Sequence, residues 1–428
     1  MAEDVKVPEG WRKIPLLEKL AFIKGKAPRK FYNFKEKNTI RYLTPECLRG
    51  RNNETLYCNI YEAEIVNDDV VVLWDGSNAG EIFFAKDGAI ASTMAKIEID
   101  EKSHKRFFYY YLKLYEPILK YQIKGSGIPH VEKDIFGLLP NTFPSLPEQR
   151  KIAEILETVD NAIEKTGRII EKYKRIKQGL MQDLLTRGIA ESDELGVRSY
   201  ELRDEKKHRF KDSPLGRIPE EWKVGYVSKF AEINPKTGIN PTDIYPFIEM
   251  DATPIMGKWY KYLSFRKGSE AGSKFKGGDI LLARITPCAE NGKALLVPND
   301  IRVGIGSTEF IVFRAKDGAD NVFLFYLLVS DFVRNIAIGL MEGTSGRQRI
   351  PTYVFEEVIK VAIPESLEEQ HRIASILSQI DEAIEKEQKY KEKLERIKKG
   401  LMEDLLMGKV RVNHLIEENK SLEMVENV

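Results

Sequence analysis

The sequence predicts an α+β protein in which two long antiparallel helices separate two globular domains of mixed helix and strand, related by a pseudo-twofold internal repeat. Three observations support this fold class. Two segments of 42 residues align without a gap, and each has the apolar spacing of a long helix. The stretch ahead of each segment alternates between strand-like and turn-like sequence.

The repeat relates residues 148–189 to residues 369–410 at an offset of 221, and about half of the aligned positions are identical. Apolar residues recur in each copy at steps of three and four, the spacing of a stripe that packs against another helix. A helix of roughly 40 residues would be about 60 Å long. Because an exposed stripe is unfavourable in water, we expect the two copies to pack on each other. The predicted helix seam consists of Ile152, Leu156, Val159, Ile163, Ile373, Leu377, Ile380 and Ile384.

The stretches ahead of the two helices resemble each other at their ends. They open with the similar tetrapeptides at 8–11 and 219–222, and we expect Trp11 and Trp222 to anchor the start of each globule. The sequence therefore divides into a first globule at 1–147, a first helix at 148–189, a linker at 190–213, a second globule at 214–368, a second helix at 369–410 and a tail at 411–428.

The order of these segments constrains their geometry. The first helix carries the chain from the first globule to the second, so the second helix must run back if the two apolar stripes are to meet. Two related globules on an antiparallel helix pair would have the twofold character of a DNA duplex, which turns every 34 Å or so. Such an arrangement would suit the reading of two separated half-sites.

Composition excludes several classes of protein. The longest apolar run, Val322–Val329, is far shorter than the roughly 20 residues that cross a bilayer, and residues 1–10 lack the apolar segment of a signal peptide. We therefore expect a cytoplasmic location. The cysteines, Cys47, Cys58 and Cys288, form no CxxC pair, so neither a disulfide framework nor a cysteine-based metal site is expected.

A net charge of +1 conceals two strongly basic stretches. Residues 19–51 contain ten Lys or Arg against two acidic residues, and residues 256–293 contain eight against three. Binding to nucleic acid depends on where charge is located and not on its total. Each globule thus has a basic region suited to a phosphate backbone.

With these features the sequence resembles the specificity subunits of Type I restriction-modification enzymes over nearly the whole chain. The resemblance rests on the phrase that begins each helix, at 146–149 and 366–370, and on the opening phrase SPLGRIPEEW at 213–222. Glu368 occupies a position where proline is usual in this family. The two repeats together with these phrases make the match specific.

The resemblance implies that the globules are target-recognition domains, each reading one half of an asymmetric bipartite site in double-stranded DNA. It also implies that the helices set the spacing and dock two methyltransferase subunits, with a restriction or motor subunit as a further partner. The chain itself would have no catalytic residue, metal or cofactor. S-adenosylmethionine, and ATP with Mg²⁺, would be bound by the partner subunits, and adenine N6 would be the methylated atom.

Reading base edges requires Arg, Lys, Asn, Gln, Ser or Thr on projecting loops. The candidates in the first globule are Lys26, Arg29, Lys30, Arg41, Arg49, Arg51, Ser77, Asn78, Lys124, Ser126 and His130. Those in the second are Lys236, Thr237, Arg266, Lys267, Arg284, Thr286, Asn291, Lys293, Ser345, Arg347, Gln348 and Arg349. Because most protein hydrogen bonds to DNA go to its backbone, any single Lys or Arg is more often a phosphate contact or a solvated side chain. The turn at 77–78 and the loop at 284–293, which occupy similar places, are the strongest clusters.

Two other functions fit the sequence less well. A single-chain methyltransferase is disfavoured because the sequence has no G-x-G-x-x-G after a strand, no Asn-Pro-Pro-Tyr or Asp-Pro-Pro-Tyr phrase and no P-loop. A coiled-coil protein scaffold without DNA specificity is compatible with the helices, although it does not explain two basic globules. The protein scaffold remains the alternative function.

Overall fold

The computed structural model describes residues 7–51, 55–121, 129–194, 197–255, 257–344 and 346–416. The chain divides into two compact units, the first made of residues 1–166 with 390–428 and the second of residues 167–389. Each unit therefore combines one globule with the beginning of the long helix that follows it and the end of the other long helix.

The first globule is built of short strands and four helices among its described residues. Its strands are β1 (Arg12–Lys13), β2 (Leu20–Lys24), β3 (Phe31–Tyr32), β4 (Thr39–Leu43), β5 (Tyr57–Asn59), β6 (Glu64–Val66), β7 (Asp69–Leu73), β8 (Ile82–Ala85), β9 (Gly88–Ile90), β10 (Met94–Ile99) and β11 (Thr142–Phe143). Its helices are α1 (Pro45–Leu48), α2 (Lys105–Leu114), α3 (Glu116–Tyr121) and α4 (Asp134–Gly137), with 3₁₀ turns at Leu16–Glu18 and Ile60–Glu62.

Two sheets form the frame of the first globule. One is antiparallel with the order β2-β10-β7-β8, and the other has the order β3-β5-β4-β9-β6 with β4 and β9 parallel. Successive side chains of β7 point to opposite faces. Val70 and Val72 pack into the core that contains α2, whereas Val71 and Leu73 pack into the core shared with the second sheet. The unbroken apolar run of β7 is therefore buried on both faces.

The remaining elements follow in chain order. The first long helix is α5 (Leu146–Leu184). The later strands are β12 (Ile189–Glu194), β13 (Val197–Leu202), β14 (Phe210–Ser213), β15 (Gly216–Pro219), β16 (Lys223–Tyr226), β17 (Ala231–Ile233), β18 (Ile244–Ile248), β19 (Ser264–Lys267), β20 (Ser273–Lys276), β21 (Ile280–Ala283), β22 (Ala294–Leu296), β23 (Val303–Gly306), β24 (Phe310–Ala315) and β25 (Lys360–Ile363). The later helices are α6 (Val227–Phe230), α7 (Asn321–Leu328), α8 (Asp331–Gly339) and the second long helix α9 (Leu367–Leu406), with a π-helical turn at Val354–Val358.

The second globule repeats the topology of the first. Its sheets have the orders β17-β24-β21-β22 and β19-β18-β23-β20, and β18 pairs with β23 in parallel, as β4 does with β9. Strand β21 takes the place of β7. Ile280 and Leu282 face the core that contains α7, and Leu281 and Ala283 face the core between the sheets. The α+β fold with an internal repeat is thus the one predicted from the sequence.

Both long helices end at a glycine in the left-handed region. Gly188 has φ +62° and its N–H donates to the carbonyl of Leu184 at 3.1 Å. Gly408 has φ +68° and donates to Leu405 at 3.3 Å. Such glycines satisfy the last carbonyls of a helix, so α5 and α9 end a few residues before the predicted bounds of 189 and 410.

The tryptophan that opens each globule packs on one of these glycines. A Cβ at Gly188 would lie 2.6 Å from Cζ2 of Trp222, and one at Gly408 would lie 3.1 Å from Cζ2 of Trp11. Both tryptophans are buried. Each globule therefore begins against the end of the long helix that completes its unit.

The predicted helix seam is only partly a contact between two helices. Ile152 and Leu156 are fully buried in the core of the first globule, where the end of α9 contributes Leu405. Ile373 and Leu377 are buried in the same way in the second unit. The four later positions are half-buried: Val159, Ile163, Ile380 and Ile384. The start of each stripe therefore packs into the core of a globule.

The segment 190–213, predicted as a linker, has regular structure. Strands β12 and β13 form an antiparallel hairpin, and β14 pairs with β15. Sequence reasoning missed these strands because they are rich in charged residues. Their few apolar side chains, Ile189, Tyr200 and Leu202, pack on the core of the second unit.

Within the described ranges, no single helix is both long and apolar enough to span a membrane. Helices α7 and α8 together pass that test of length and composition, with a bend of 54° between them. Every residue of α7 from Phe323 to Leu328 is buried in the core of the second unit. The apolar composition of α7 is therefore that of a core helix.

Candidate nucleic-acid interface

In the first unit, the turn after β7 lies beside the segment that closes the globule. Asp75 forms an isolated β-bridge with His130, and the N–H of Gly76 donates to the carbonyl of Pro129 at 2.8 Å. Two parts of the chain more than fifty residues apart are joined in this way. The exposed candidates of the turn, Ser77 and Asn78, thereby share a surface with exposed His130.

The second unit builds the same arrangement after β21. Ile285 forms a β-bridge with Arg349. The N–H of Thr286 donates to the carbonyl of Gln348 at 3.0 Å, and the N–H of Gln348 donates to Oγ1 of Thr286 at 2.9 Å. The loop at 284–293 and the segment at 347–349 therefore lie side by side, as the turn at 77–78 and the segment at 129–130 do in the first unit.

Two of the candidate arginines are held by internal ion pairs. Nε of Arg49 donates to Oε2 of Glu81 at 3.1 Å, its guanidinium also contacts Glu46, and its side chain is only 13% exposed. Nη2 of Arg349 donates to Oε1 of Glu309 at 2.7 Å. These bonds from Arg349 hold the pKa of the Glu309 carboxyl below its ordinary value. In the chain without DNA, both arginines have a structural role that the sequence did not predict.

Three further candidates contact other parts of their own globule. Nζ of Lys293 donates to the carbonyl of Met250 at 2.8 Å. Oγ1 of Thr237 accepts a hydrogen bond from an arginine of β24 at 3.0 Å. The guanidinium of Arg266 stacks 3.7 Å from the centre of the Phe247 ring. These side chains are partly covered and positioned by the fold.

The other candidates fall into three groups. Arg284 is half-buried, and its buried Nε has no hydrogen-bond partner in the described part of the chain. Lys124, Ser126 and Ser345 lie outside the described residues. The remaining basic and amide candidates are exposed: Lys26, Arg29, Lys30, Arg41, Arg51, Lys236, Lys267, Asn291 and Arg347.

The model of the Type I restriction modification DNA specificity domain matches the chain twice, at residues 8–174 and 219–396. The chain belongs to this family. The two matches contain one globule each, together with most of the long helix that follows it. As a member of the family, the chain has the role of recognising DNA sequence.

Curated relatives and solved structures agree with this membership. The MjaVIII specificity subunit of a Type I restriction enzyme from Methanocaldococcus jannaschii is 33% identical over 430 residues, which cover 96% of this chain and 95% of that protein. The EcoEI specificity subunit from Escherichia coli is 30% identical over 211 residues, covering 46% of this chain and 34% of that protein.

The fold is similar to that of a crystal structure of a Type I restriction-modification S subunit from M. genitalium. The TM-score is 0.58 at 13% identity, over 95% of this chain and 97% of that chain. A chain from a study of complex assembly in the type I R-M system gives a TM-score of 0.50 at 13% identity, over 95% of this chain and 100% of that one. At such identity the likeness concerns the fold alone.

A Glu-Gln pair begins each long helix of this specificity subunit, and its glutamine is buried in both copies. Oε1 of Gln149 accepts from the N–H of His104, the residue before α2, at 2.9 Å. Oε1 of Gln370 accepts from the N–H of Asp320, the residue before α7, at 2.8 Å. Each glutamine thus joins the start of a long helix to the start of a helix in its globule. The departure from the family pattern, Glu368, is exposed and outside these bonds.

The preceding glutamates bind the chain that arrives from the other long helix. Glu148 accepts two hydrogen bonds from Arg411, at 2.7 and 2.9 Å. Glu369 pairs with Arg203, whose Nη2 lies 3.0 Å from its Oε2. The Glu-Gln phrase therefore joins the start of each long helix to the segment that follows the other long helix.

The structure adds exposed aromatic residues that sequence reasoning missed. Phe34, between β3 and β4, and Phe265, on β19, are each 67% exposed, and Tyr61 is 79% exposed. Phe34 precedes a lysine in the sequence, and Phe265 lies next to Arg266. Apolar side chains among basic residues are used by DNA-binding proteins as wedges against base steps. The sequence signal that could have identified them is an aromatic residue within a charged, turn-rich stretch.

Proposed function

We propose that each globule of this specificity subunit reads one half of a bipartite DNA site, while α5 and α9 set the distance between the halves and dock methyltransferase subunits. The observation that carries this proposal is the pair of loop surfaces after β7 and β21. They are built on equivalent strands by equivalent backbone pairing, yet they present different side chains. Two surfaces with equivalent backbone pairing and different side chains suit two half-sites of different sequence.

The exposed charges support contact with a phosphate backbone. Lys26, Arg29 and Lys30 follow β2 in the first globule, and Lys236 and Lys267 lie in the second. Lysine and arginine contacts to phosphate supply most of the sequence-independent affinity for DNA and make it dependent on salt. The loop surfaces would supply the sequence preference.

We assign the chemistry to partner subunits. Among the described residues, no group of three or more His, Cys, Asp or Glu is arranged to hold a metal ion. In this proposal two methyltransferase subunits bind S-adenosylmethionine, and a restriction or motor subunit binds ATP with Mg²⁺. The chain itself contributes recognition and geometry.

The test is to co-express the chain with the adenine methyltransferase subunit of its own system in a host free of DNA methylation. The host DNA is then sequenced for N6-methyladenine. We expect methylation at one bipartite motif that disappears when this gene is deleted. A stable complex that methylates no motif would instead favour the alternative of a protein scaffold without DNA specificity.

A further inference from the structure

In the first unit, a tyrosine, an aspartate and a lysine meet where the globule contacts both long helices. Asp160 of α5 uses its two oxygens for different partners. Oδ1 lies 2.6 Å from Nζ of Lys398 on α9, and Oδ2 accepts a hydrogen bond from the hydroxyl of Tyr110 on α2 at 2.8 Å. Nζ of Lys398 also lies 5.6 Å from the centre of the Tyr110 ring. We call these residues the first triad.

The second unit contains the same three residue types in the same roles. Oδ1 of Asp381 on α9 lies 2.6 Å from Nζ of Lys177 on α5, and Oδ2 accepts from the hydroxyl of Tyr326 on α7 at 2.7 Å. Nζ of Lys177 lies 5.4 Å from the centre of the Tyr326 ring. This second triad is the more buried of the two, since its lysine and aspartate side chains are 9% and 7% exposed.

The internal repeat generates both triads at once. Asp160 and Asp381 are separated by 221 residues, and so are Lys177 and Lys398. Each copy of the repeat therefore gives its aspartate to one triad and its lysine to the other. Both triads form together only when the two helices are antiparallel and in one register.

A buried ion pair adds little to the free energy of unfolding by itself. Removing two charges from water costs several kcal/mol each, and well-packed apolar residues often stabilise a protein equally well. A charged pair does discriminate between alternative packings, because a shifted register would leave a charge buried without its partner. The second triad therefore penalises alignments of α5 and α9 that would separate its buried charges. The first triad adds a weaker preference, since its lysine and aspartate side chains are 23% and 30% exposed.

The tyrosines connect each globule to the ion pair between the two long helices. Burial raises the pKa of Tyr110, and its hydrogen bond to Asp160 raises it further, so the hydroxyl stays protonated and donates. Tyr326 is buried in the same way, and its pKa is likewise raised. Because α2 and α7 belong to the globules, one carboxylate fixes a globule and the other long helix together.

We propose that the two triads are positioning elements that set the register of α5 against α9 and the seating of each globule on them, and so determine the spacing between the two DNA half-sites. This inference rests on the proposed function. Asp160, Lys398, Lys177 and Asp381 would then be specificity-determining residues that do not touch DNA.

The experiment uses the full chain co-expressed with its methyltransferase subunit, and the neutral, similarly shaped double variants Asp160→Asn with Lys398→Met and Lys177→Met with Asp381→Asn. Each variant is read out by its melting temperature and by the spacer lengths of methylated sites. We expect both half-sites to be unchanged while the preference for the native spacer falls about tenfold. Asp381→Asn alone should lower the melting temperature more than the double variant at the same pair, because it leaves the buried charge of Lys177 without its counter-charge.

The control is the surface pair Glu385 and Lys389 on α9, whose side chains are 36% and 71% exposed. Its neutral double variant should keep both the melting temperature and the spacer. If a double variant is too unstable to assay, Tyr110→Phe serves in its place, since it removes one hydrogen bond and keeps the ion pair. Folded triad variants that keep a single native spacer would overturn the proposal, and so would loss of one half-site at an unchanged spacer. If the wild-type chain itself directs methylation to no bipartite motif, the proposed function fails whatever the triads do.

Discussion

The two units of this specificity subunit are alike where they are buried and different where they face solvent. Both have a four-stranded sheet covered by a short helix, a glutamine that bridges to that helix, and a triad. Their loop surfaces share backbone pairing but not side chains. The first presents Ser77 and Asn78, and the second presents Arg347 beside an arginine held by Glu309.

This difference separates two tasks that a recognition protein must perform. The glutamine, aspartate and lysine that each long helix contributes are related by the offset of 221, and they help to fix where each loop surface is located. The exposed loop side chains, such as those of Asn78 and Arg347, face solvent and lie outside this framework. Their chemistry can therefore change without loss of the fold, which is what reading different sequences requires.

The largest effect is expected at the buried glutamines, where the two units should behave alike. Gln370→Leu removes bonds to the N–H of Asp320 and to the carbonyls of Gly318 and Pro364, and should lower the free energy of unfolding by about 3 kcal/mol. Gln149→Leu removes two bonds and should cost about 2 kcal/mol. Urea denaturation measures both. Exposed Gln379→Leu is the control, and glutamine variants as stable as that control would show that the bridges contribute nothing.

A second prediction separates the loop surfaces. Arg347→Ala should relax only the half-site read by the second unit, and Asn78→Ala only that read by the first, each costing about 1–3 kcal/mol of discrimination at the affected base. Sequencing of methylated motifs reports both halves at once. Lys86→Ala, in the turn at the opposite end of β8, should change neither. A variant that relaxes both half-sites equally would contradict the division of labour between the units.

The sequence predicts the two long helices and the repeat far better than it predicts which residues are available to contact DNA. The repeat, the helical spacing and the Glu-Gln phrases identify α5 and α9 because they depend on local periodicity. The charges of the triads resemble ordinary solvated residues in the sequence, since nothing in a window around Lys177 indicates a partner at Asp381. Arg49 and Arg349 are likewise paired with glutamates 32 and 40 residues away. Only the folded chain shows which basic residues are exposed to a ligand.

The stability of both units should fall in acid for the same reason, because each contains a glutamate whose pKa is lowered. The pKa of Glu309 is lowered by its bonds to Arg349. Burial alone would raise the pKa of Glu116 in the first unit, but hydrogen bonds from the N–H of Ile82 and from Lys113 and Lys120 lower it overall. Stability from such carboxylates is present above the ordinary value of 4.5 and is lost as the pH falls through the lowered one.

Glu309→Gln and Glu116→Gln should therefore reduce the urea midpoint clearly at pH 7 and by less at pH 4. Exposed Glu290→Gln serves as the matched control. A loss of stability that grows toward pH 4 would have the wrong sign for a lowered pKa.

The smallest effect is expected at the glycines near the carboxyl-terminal ends of the long helices. A Cβ at Gly179 or Gly400 would meet nothing within 4 Å, so alanine fits at both positions. Each substitution should stabilise the isolated chain by about 0.5–1 kcal/mol. Melting temperatures measured with and without the methyltransferase subunit test this. A gain in the free chain that becomes a loss in the complex would indicate that a partner needs the space.

The sharing of both long helices between the units has a consequence for a chain that has been cut. The exposed turn at 204–207 lies between the end of α5 and the second globule. Cleavage there yields two fragments, and each unit is still assembled from parts of both. Met181 and Leu184 from one fragment stay in a core with Ile373 from the other, and Leu405 from the second fragment stays in a core with Ile152 from the first. A nicked molecule should therefore migrate as one particle until a denaturant releases the helices.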